Sequence, residues 1–424
     1  MTNSPLLRVA ALVDLPRSAG SGGHVKCWER LAAAAAASPL PLDLTVYFSG
    51  KEETEILGPR TRLRQLPPVF STSNLKFLPY VPDHTDLASY HSKLAQELPQ
   101  YDVIHTTDGF FAFAQTAAKI CQQYKIPLVT SFHTDTPAYT RIFTSQTLKK
   151  IFSRMPRLQR LLLETWNIPE YQGKNMDKKL RRHLQQCSCA LVTRQEDQVL
   201  AEAILGQDYV RHLRLGIDKN LFNPNRQQRK DVEELYHIPS DQIMMLFVGR
   251  VDIGKNIYTL IEACDVLIAQ GLPLHLVVAG IGPALDDIRQ RLGRHASLPG
   301  YVIPEDLAKL YASVDGLALC SEVEIRSMAG VEAMASGCPV LVSQKSGIAQ
   351  LFDNTKAMRV VEGNVASWVN ALRDFSRDGE QRNMMRQAAL QYSQNFLASW
   401  QDVLAEDLFA IWSKAAKVKL RAVA

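Results

Sequence analysis

Ten short, nearly continuous apolar runs punctuate this chain, and they constrain its fold more than any other feature. Five lie in the first half, at residues 7–13, 42–48, 103–105, 127–132 and 190–193. Five lie in the second, at 244–248, 274–279, 316–320, 339–342 and 358–361. They do not alternate apolar with polar. A strand covered on both faces has this character, and that points to parallel sheets flanked by helices. The segments between them carry 3.6-residue periodicity, as at Leu307, Leu310, Tyr311 and Val314.

A chain of 424 residues suits two such α/β domains. The turn-rich stretch Gly216-Ile217-Asp218 and Phe222-Asn223-Pro224, followed by a polar run, marks the boundary. It gives domains at 1–215 and 225–394. A final amphipathic helix begins near residue 395, with Phe396, Trp400, Leu404, Leu408 and Ile411 on its apolar face. The net charge of +5 is too mild for a dedicated nucleic-acid binder, yet suits an anionic substrate or surface. Seven scattered cysteines read as buried, reduced thiols. Neither a signal-peptide pattern nor an apolar run long enough to span a bilayer is visible, so the expected location is cytoplasmic.

The segment richest in chemistry is 321–340. A strand enters a loop bearing Glu324; a helix bearing Glu332 follows and ends at Gly337 before Pro339. Helix-start N–H groups near Ile325 to Met328 form a site for phosphate. A carboxylate accepts hydrogen bonds from two sugar hydroxyls at once, so two of them flanking that helix start suit the two sugars of a nucleotide sugar. A helix with two solvent-facing glutamates fits the spacing equally well. Metal ligation is not expected: Asp-x-Asp is missing, and His and Cys do not cluster at ligand spacing.

Glu324 and Glu332 resemble the Glu-x7-Glu signature of family-four (group 1) retaining glycosyltransferases, which have the GT-B fold. Further elements of that family have counterparts in order: Gly22-Gly23-His24, Ser131-Phe132-His133-Thr134-Asp135, Arg214-Leu215-Gly216-Ile217-Asp218, Gly249-Arg250 with Lys255, Gly280-Ile281-Gly282-Pro283, and the C-terminal helix around Trp400 that returns to the first domain. The resemblance implies two Rossmann-like, doubly wound parallel-sheet domains facing across a cleft, the first taking an acceptor and the second a nucleotide sugar linked to UDP or GDP. It assigns Arg250 and Lys255 to the donor diphosphate, with Gly249, Gly282, Arg326 and Ser327 around it. Glu332 is assigned to the ribose, and Glu324 with His133 to the transferred sugar. Gly22, Gly23 and His24 form a loop approached by phosphate or acceptor. No cofactor is implied, since the nucleotide sugar is a substrate. Ser327 replaces a frequent glycine, Arg326 puts a cation at a helix start, and Gln350 stands where glutamate is frequent. Those departures keep a catalytically silent binding protein as an alternative. A sugar-nucleotide epimerase shares the fold, but the Glu-x7-Glu context and the hinge oppose it.

One segment stands apart. Residues 141–182 hold 11 Lys/Arg against 3 Asp/Glu, interleaved with Leu148, Ile151, Phe152, Met155, Leu158, Leu161 and Leu162. Pro156 predicts two short helices or a kinked one. Such a face suits anionic lipid headgroups, placing the protein peripherally on the inner membrane face with a lipid or lipid-linked acceptor. A solvated basic face with a soluble metabolite as acceptor is the competing reading.

Overall fold

The computed structural model describes residues 6–18, 20–75, 84–351 and 356–423. The chain divides into two compact units, Met1–Arg214 with Trp400–Ala424, and Leu215–Ser399.

The first unit is built on eight strands: β1 (Leu7–Pro16), β2 (Leu42–Ser49), β3 (Glu53–Gly58), β4 (Thr61–Leu66), β5 (Val103–Thr106), β6 (Leu128–Ser131), β7 (Cys189–Val192) and β8 (Val210–His212). Their order is β3-β4-β2-β1-β5-β6-β7-β8, and every pair is parallel except β3 with β4. The apolar runs became the central strands because both faces are covered. Helix Gly23–Ala36, for example, buries Val25, Trp28, Leu31 and Ala32. Chain order reverses between β1 and β5, so the loop bearing Gly22 leaves the sheet at a topological switch point.

The second unit opens with β9 (Gly216–Ile217), then forms a sheet from β10 (Ile243–Val248), β11 (Leu274–Ala279), β12 (Ala296–Gly300), β13 (Gly316–Leu319), β14 (Val340–Ser343) and β15 (Met358–Val361). Its order, β12-β11-β10-β13-β14-β15, is the doubly wound order of mononucleotide-binding sheets, with the switch between β10 and β13. The fully buried Trp368, Leu372 and Phe375 of helix Val365–Arg377 pack into the core of this unit with Leu260 and Cys264 of helix Ile257–Ala269.

The chain end differs from the sequence expectation. Phe396 is the last residue of helix Gly379–Phe396 and is 66% exposed. Strand β16 (Ala398–Ser399) then pairs in parallel with β9, and a new helical stretch begins at Trp400 and runs to Val423 through a π-helical stretch, Val403–Phe409. Apolar period alone could not place the break, because Phe396 keeps phase with Trp400 and Leu404; the pairing with β9 makes it. Trp400, Leu404, Leu408 and Ile411 are buried as expected, together with Trp412.

The basic segment is three helical pieces rather than two. Helix Thr136–Ile151 is followed by Pro156–Arg160, which continues as the π turn Leu161–Thr165, and then by Ile168–Leu184. Pro156 starts a helix instead of kinking one, in the first-turn position where its missing N–H costs nothing. Arg141 bridges Glu170 (2.8 Å) and Asp177 (2.9 Å), tying the first helix to the last. A Cβ at Gly173 would lie 2.5 Å from the Arg141 Nε, so glycine lets this guanidinium lie flat on the helix.

Candidate functional site

Adjacent parallel strands β10 and β13 end side by side, and the loops that leave them carry Arg250, Asp252, Lys255, Glu324 and Arg326. After β10 the chain turns at Gly249, whose φ of +141° few side chains tolerate. Asp252 is almost fully buried; its carboxylate caps the short turn Ile253–Lys255 by accepting from the Lys255 N–H (3.1 Å). The same carboxylate accepts from the Arg250 Nε at 3.1 Å and so aims the guanidinium. The β13 loop is laced to this turn: Asn256 Nδ2 donates to the Cys320 carbonyl (3.2 Å), the Cys320 thiol to the Lys255 carbonyl (3.2 Å), and the Ser321 hydroxyl to the Gly254 carbonyl (3.4 Å). Burial pushes the Cys320 thiol up to about 12, so it stays a neutral donor.

Lys255 Nζ lies 2.8 Å from Glu324 Oε1, both side chains less than one-fifth exposed. Two residues that the sequence analysis assigned to different parts of a ligand are therefore an ion pair. The Gly280-Ile281-Gly282 loop closes the other flank. Val251 N–H donates to the Ile281 carbonyl (2.9 Å), and a Cβ at Gly282 would fall 2.3 Å from the Val251 carbonyl oxygen. Glycine there is demanded by backbone packing.

The Glu332 helix starts at Met328, later than the donors expected near Ile325. Arg326 lies in the preceding loop, 9% exposed, and not on the helix. The first turn of the helix itself carries no cationic side chain. Ser327 is the N-cap, its hydroxyl accepting from the Gly330 N–H at 3.3 Å. A serine in place of glycine thus has a structural task, since capping stabilises a helix by about 1 kcal/mol. Glu332 is buried and accepts from the Tyr311 hydroxyl at 3.3 Å. Gly249, Arg250, Lys255, Gly282, Glu324, Arg326 and Ser327 lie in the loops and turns that follow β10, β11 and β13, and Glu332 lies within the helix that follows the β13 loop.

In the first unit, Gly22 is the N-cap of helix Gly23–Ala36 and His24 is in its first turn. The backbone of Gly22 is ordinary, with φ −66°, and a Cβ there would meet nothing within 4 Å. Nothing in the fold itself requires glycine at this position. His133 follows β6, and its ring stacks on His24 with centroids 4.3 Å apart and planes 2° from parallel. Behind them lies a buried polar chain that sequence reasoning missed. Ser131 Oγ is 2.8 Å from His133 Nε2 and 2.7 Å from His105 Nε2, and the Trp412 indole donates to His105 Nδ1 at 2.9 Å. The signal available was His105 inside an otherwise apolar strand, where a histidine needs partners. Asp135, part of the same sequence element, caps helix Thr136–Ile151 and pairs with Arg194. Among the described residues, no group of three or more His, Cys, Asp or Glu is arranged to hold a metal ion.

Comparison with known proteins follows the same division. Residues 21–168 match the model of Glycosyltransferase Family 4, and residues 228–392 that of Glycosyl transferases group 1. The chain belongs to the group 1 glycosyltransferases. The sulfoquinovosyl transferase SQD2 of Arabidopsis thaliana is 24% identical over 72% of this chain. That match spans only 55% of the relative's length. Sucrose-phosphate synthase from Thermosynechococcus elongatus has a similar fold, with TM-score 0.68 and 18% identity over 99% of this chain and 100% of that one. So does Anabaena Alr3699/HepE, solved with UDP and glucose (TM-score 0.64, 15% identity, 97% and 99% covered). The fold of this group 1 family member is accordingly GT-B, as the sequence elements implied.

Proposed function

We propose that this protein is a retaining glycosyltransferase that moves a hexose from a UDP- or GDP-linked donor to a hydroxyl of a lipid or lipid-linked glycan. The observation that carries the reading is the set of Arg250, Lys255 and Glu324 at the β10–β13 switch point, beside a capped helix start that leads to the buried Glu332. Cations and helix N–H groups complement a diphosphate, and Glu332 complements a ribose diol. As the bond from the anomeric carbon to the diphosphate oxygen breaks, Arg250 and Lys255 offset the charge on the leaving group. The acceptor oxygen bonds to that carbon on the same face, and its proton passes to the departing phosphate. Gly22, free of any internal demand for glycine, leaves room for an acceptor to approach the backbone. The Anabaena neighbour, solved with UDP and glucose, supports the donor class.

The test is a panel of nucleotide sugars followed by thermal shift and by donor consumption. A UDP- or GDP-sugar should raise Tm and be consumed. Arg250→Ala should weaken donor binding roughly 10- to 150-fold, the equivalent of about 1.5–3 kcal/mol for a charge-assisted contact. Binding without turnover would make this a silent binding protein, and no binding at all would remove the reading.

The acceptor class rests on the basic segment. Lys149, Lys150, Arg154 and Arg157 are exposed beside Ile151 (48% exposed) and Met155 (53%), while no described helix is long and apolar enough to cross a membrane. Each cation near an anionic bilayer adds about 1 kcal/mol, screened by salt. The protein should therefore sediment with anionic but not neutral vesicles at low salt and be released at high salt. Reversing those four cations to Glu should abolish pelleting and leave donor binding intact. A parent that ignores anionic vesicles at low salt makes a soluble acceptor the better reading.

A further inference from the structure

The polar chain behind His133 has a direction, and one residue sets it. An indole N–H donates and never accepts. Because Trp412 Nε1 donates to His105 Nδ1 at 2.9 Å, that nitrogen carries no proton. His105 is fully buried and neutral, its pKa pushed down to about 3 by desolvation, so its single ring proton sits on Nε2. That proton points to Ser131 Oγ, 2.7 Å away. The serine hydroxyl now has one acceptor left among its partners, His133 Nε2 at 2.8 Å. It donates there, and His133 must carry its own proton on Nδ1.

We propose that Trp412, acting through His105 and Ser131, locks His133 as the neutral Nδ1–H tautomer, so that His133 serves as a hydrogen-bond donor to a sugar oxygen and not as a base. The hydrogen bonds at Ser131 oppose the other tautomer directly. A proton on His133 Nε2 would set two donors against the Ser131 oxygen and leave the serine hydrogen without an acceptor. The ring also stacks in parallel on His24 at 4.3 Å, which fixes its plane. The geometry is stiff as well. Trp28 meets His105 edge-on at 5.0 Å and Trp412 meets it edge-on at 5.7 Å, so the relay ring is held by two indoles. Trp412 and Ser131 are positioning residues; His133 alone would touch substrate. The tautomer follows from the hydrogen bonds themselves, whereas its use toward a sugar rests on the proposed transfer reaction.

Long-range proton–nitrogen correlation on the full chain labelled with 15N-histidine reads which ring nitrogen bears the proton, with His133→Gln supplying the assignment. The parent should show His133 protonated on Nδ1 and His105 on Nε2. Trp412→Phe removes the one obligate donor, so the chain can reverse and the Nε2–H form of His133 should become comparably populated. Ser131→Ala should release the same preference, and it serves if Trp412→Phe does not fold. Both variants should lose tenfold or more in kcat with donor KM within about twofold. A parent protonated on His133 Nε2 overturns the proposal, as does an unchanged Nδ1–H form in both variants. A parent with no transfer activity overturns the sugar-donor role and the proposed reaction, while the spectra still decide the tautomer.

Discussion

Acid should unfold the first unit through its buried histidines, with a slope that mutation can isolate. His105 and His183 are fully buried, and desolvation pushes their pKa values down to about 3 and about 4. In the unfolded chain both would titrate near the ordinary value of 6.5. Below that pH the unfolded state binds protons that the folded state refuses. The stabilisation is therefore complete above about pH 6.5 and is lost as pH falls toward the folded values. Each histidine contributes about 1.4 kcal/mol per pH unit across the window, so the pair contributes about 2.7. Buried Asp14 and half-buried Asp108, whose carboxyls are pushed up by desolvation, act in the opposite direction. A comparison cancels them. Urea unfolding of the parent and of His183→Gln between pH 6.5 and 4 should show the parent losing about 3 kcal/mol more than the variant. Parallel pH profiles would mean that His183 is already charged in the folded state.

The second large effect concerns the Lys255–Glu324 pair. At rest the ammonium is held by the carboxylate at 2.8 Å, in a setting where both are mostly shielded. On the proposed reading a donor diphosphate would compete for Lys255 and free Glu324 toward the sugar. Glu324→Gln should then bind the nucleoside diphosphate no more weakly than the parent yet transfer sugar about a hundredfold more slowly, because its contacts matter at the reacting centre. Lys255→Ala should raise donor KM tenfold or more and also leave a half-buried carboxylate without its cation. The double variant should fall short of the sum of the singles by about 0.5–3 kcal/mol in transition-state energy, as residues in contact do. Calorimetric titration with UDP and GDP, together with steady-state kinetics on the three variants, measures all of this. Parental turnover by Glu324→Gln would end the proposed role.

Much of the architecture was legible from residues alone because it rests on short-range physics. A strand buried on both faces must be apolar along its length, and all ten runs became strands, nine of them within one residue at each end and β1 running three residues further, to Pro16. The strands that escaped notice have other surroundings. In β3 the segment Glu53–Gly58 is exposed along most of its length and reads as polar loop; β4 carries Arg62, Arg64 and Gln65 among its apolar residues; β8 and β12 lie at sheet edges, and β9 and β16 are two residues each. The order of the Glu-x7-Glu, Gly-x-Gly-Pro and Gly-Arg elements identified the family because each is a contiguous stretch whose backbone has a local task.

Pairings between distant residues were not legible. Nothing near Trp412 says that its indole meets His105, 307 residues earlier; that contact exists only because the C-terminal helix packs against the interior strands β5 and β6 of the first sheet. Lys255 meets Glu324 because β10 and β13 are neighbours across a switch point, a matter of strand order. Ser327 looked like a defect in a motif until the helix start at Met328 made it a cap. Phe396 kept helical phase with Trp400, yet the β9–β16 pairing broke the chain between them. Composition and period report what each segment must bury, and capping reports where it can begin. Which polar groups then share a proton or a charge depends on which segments the sheet order makes neighbours, and only the tertiary structure decides that.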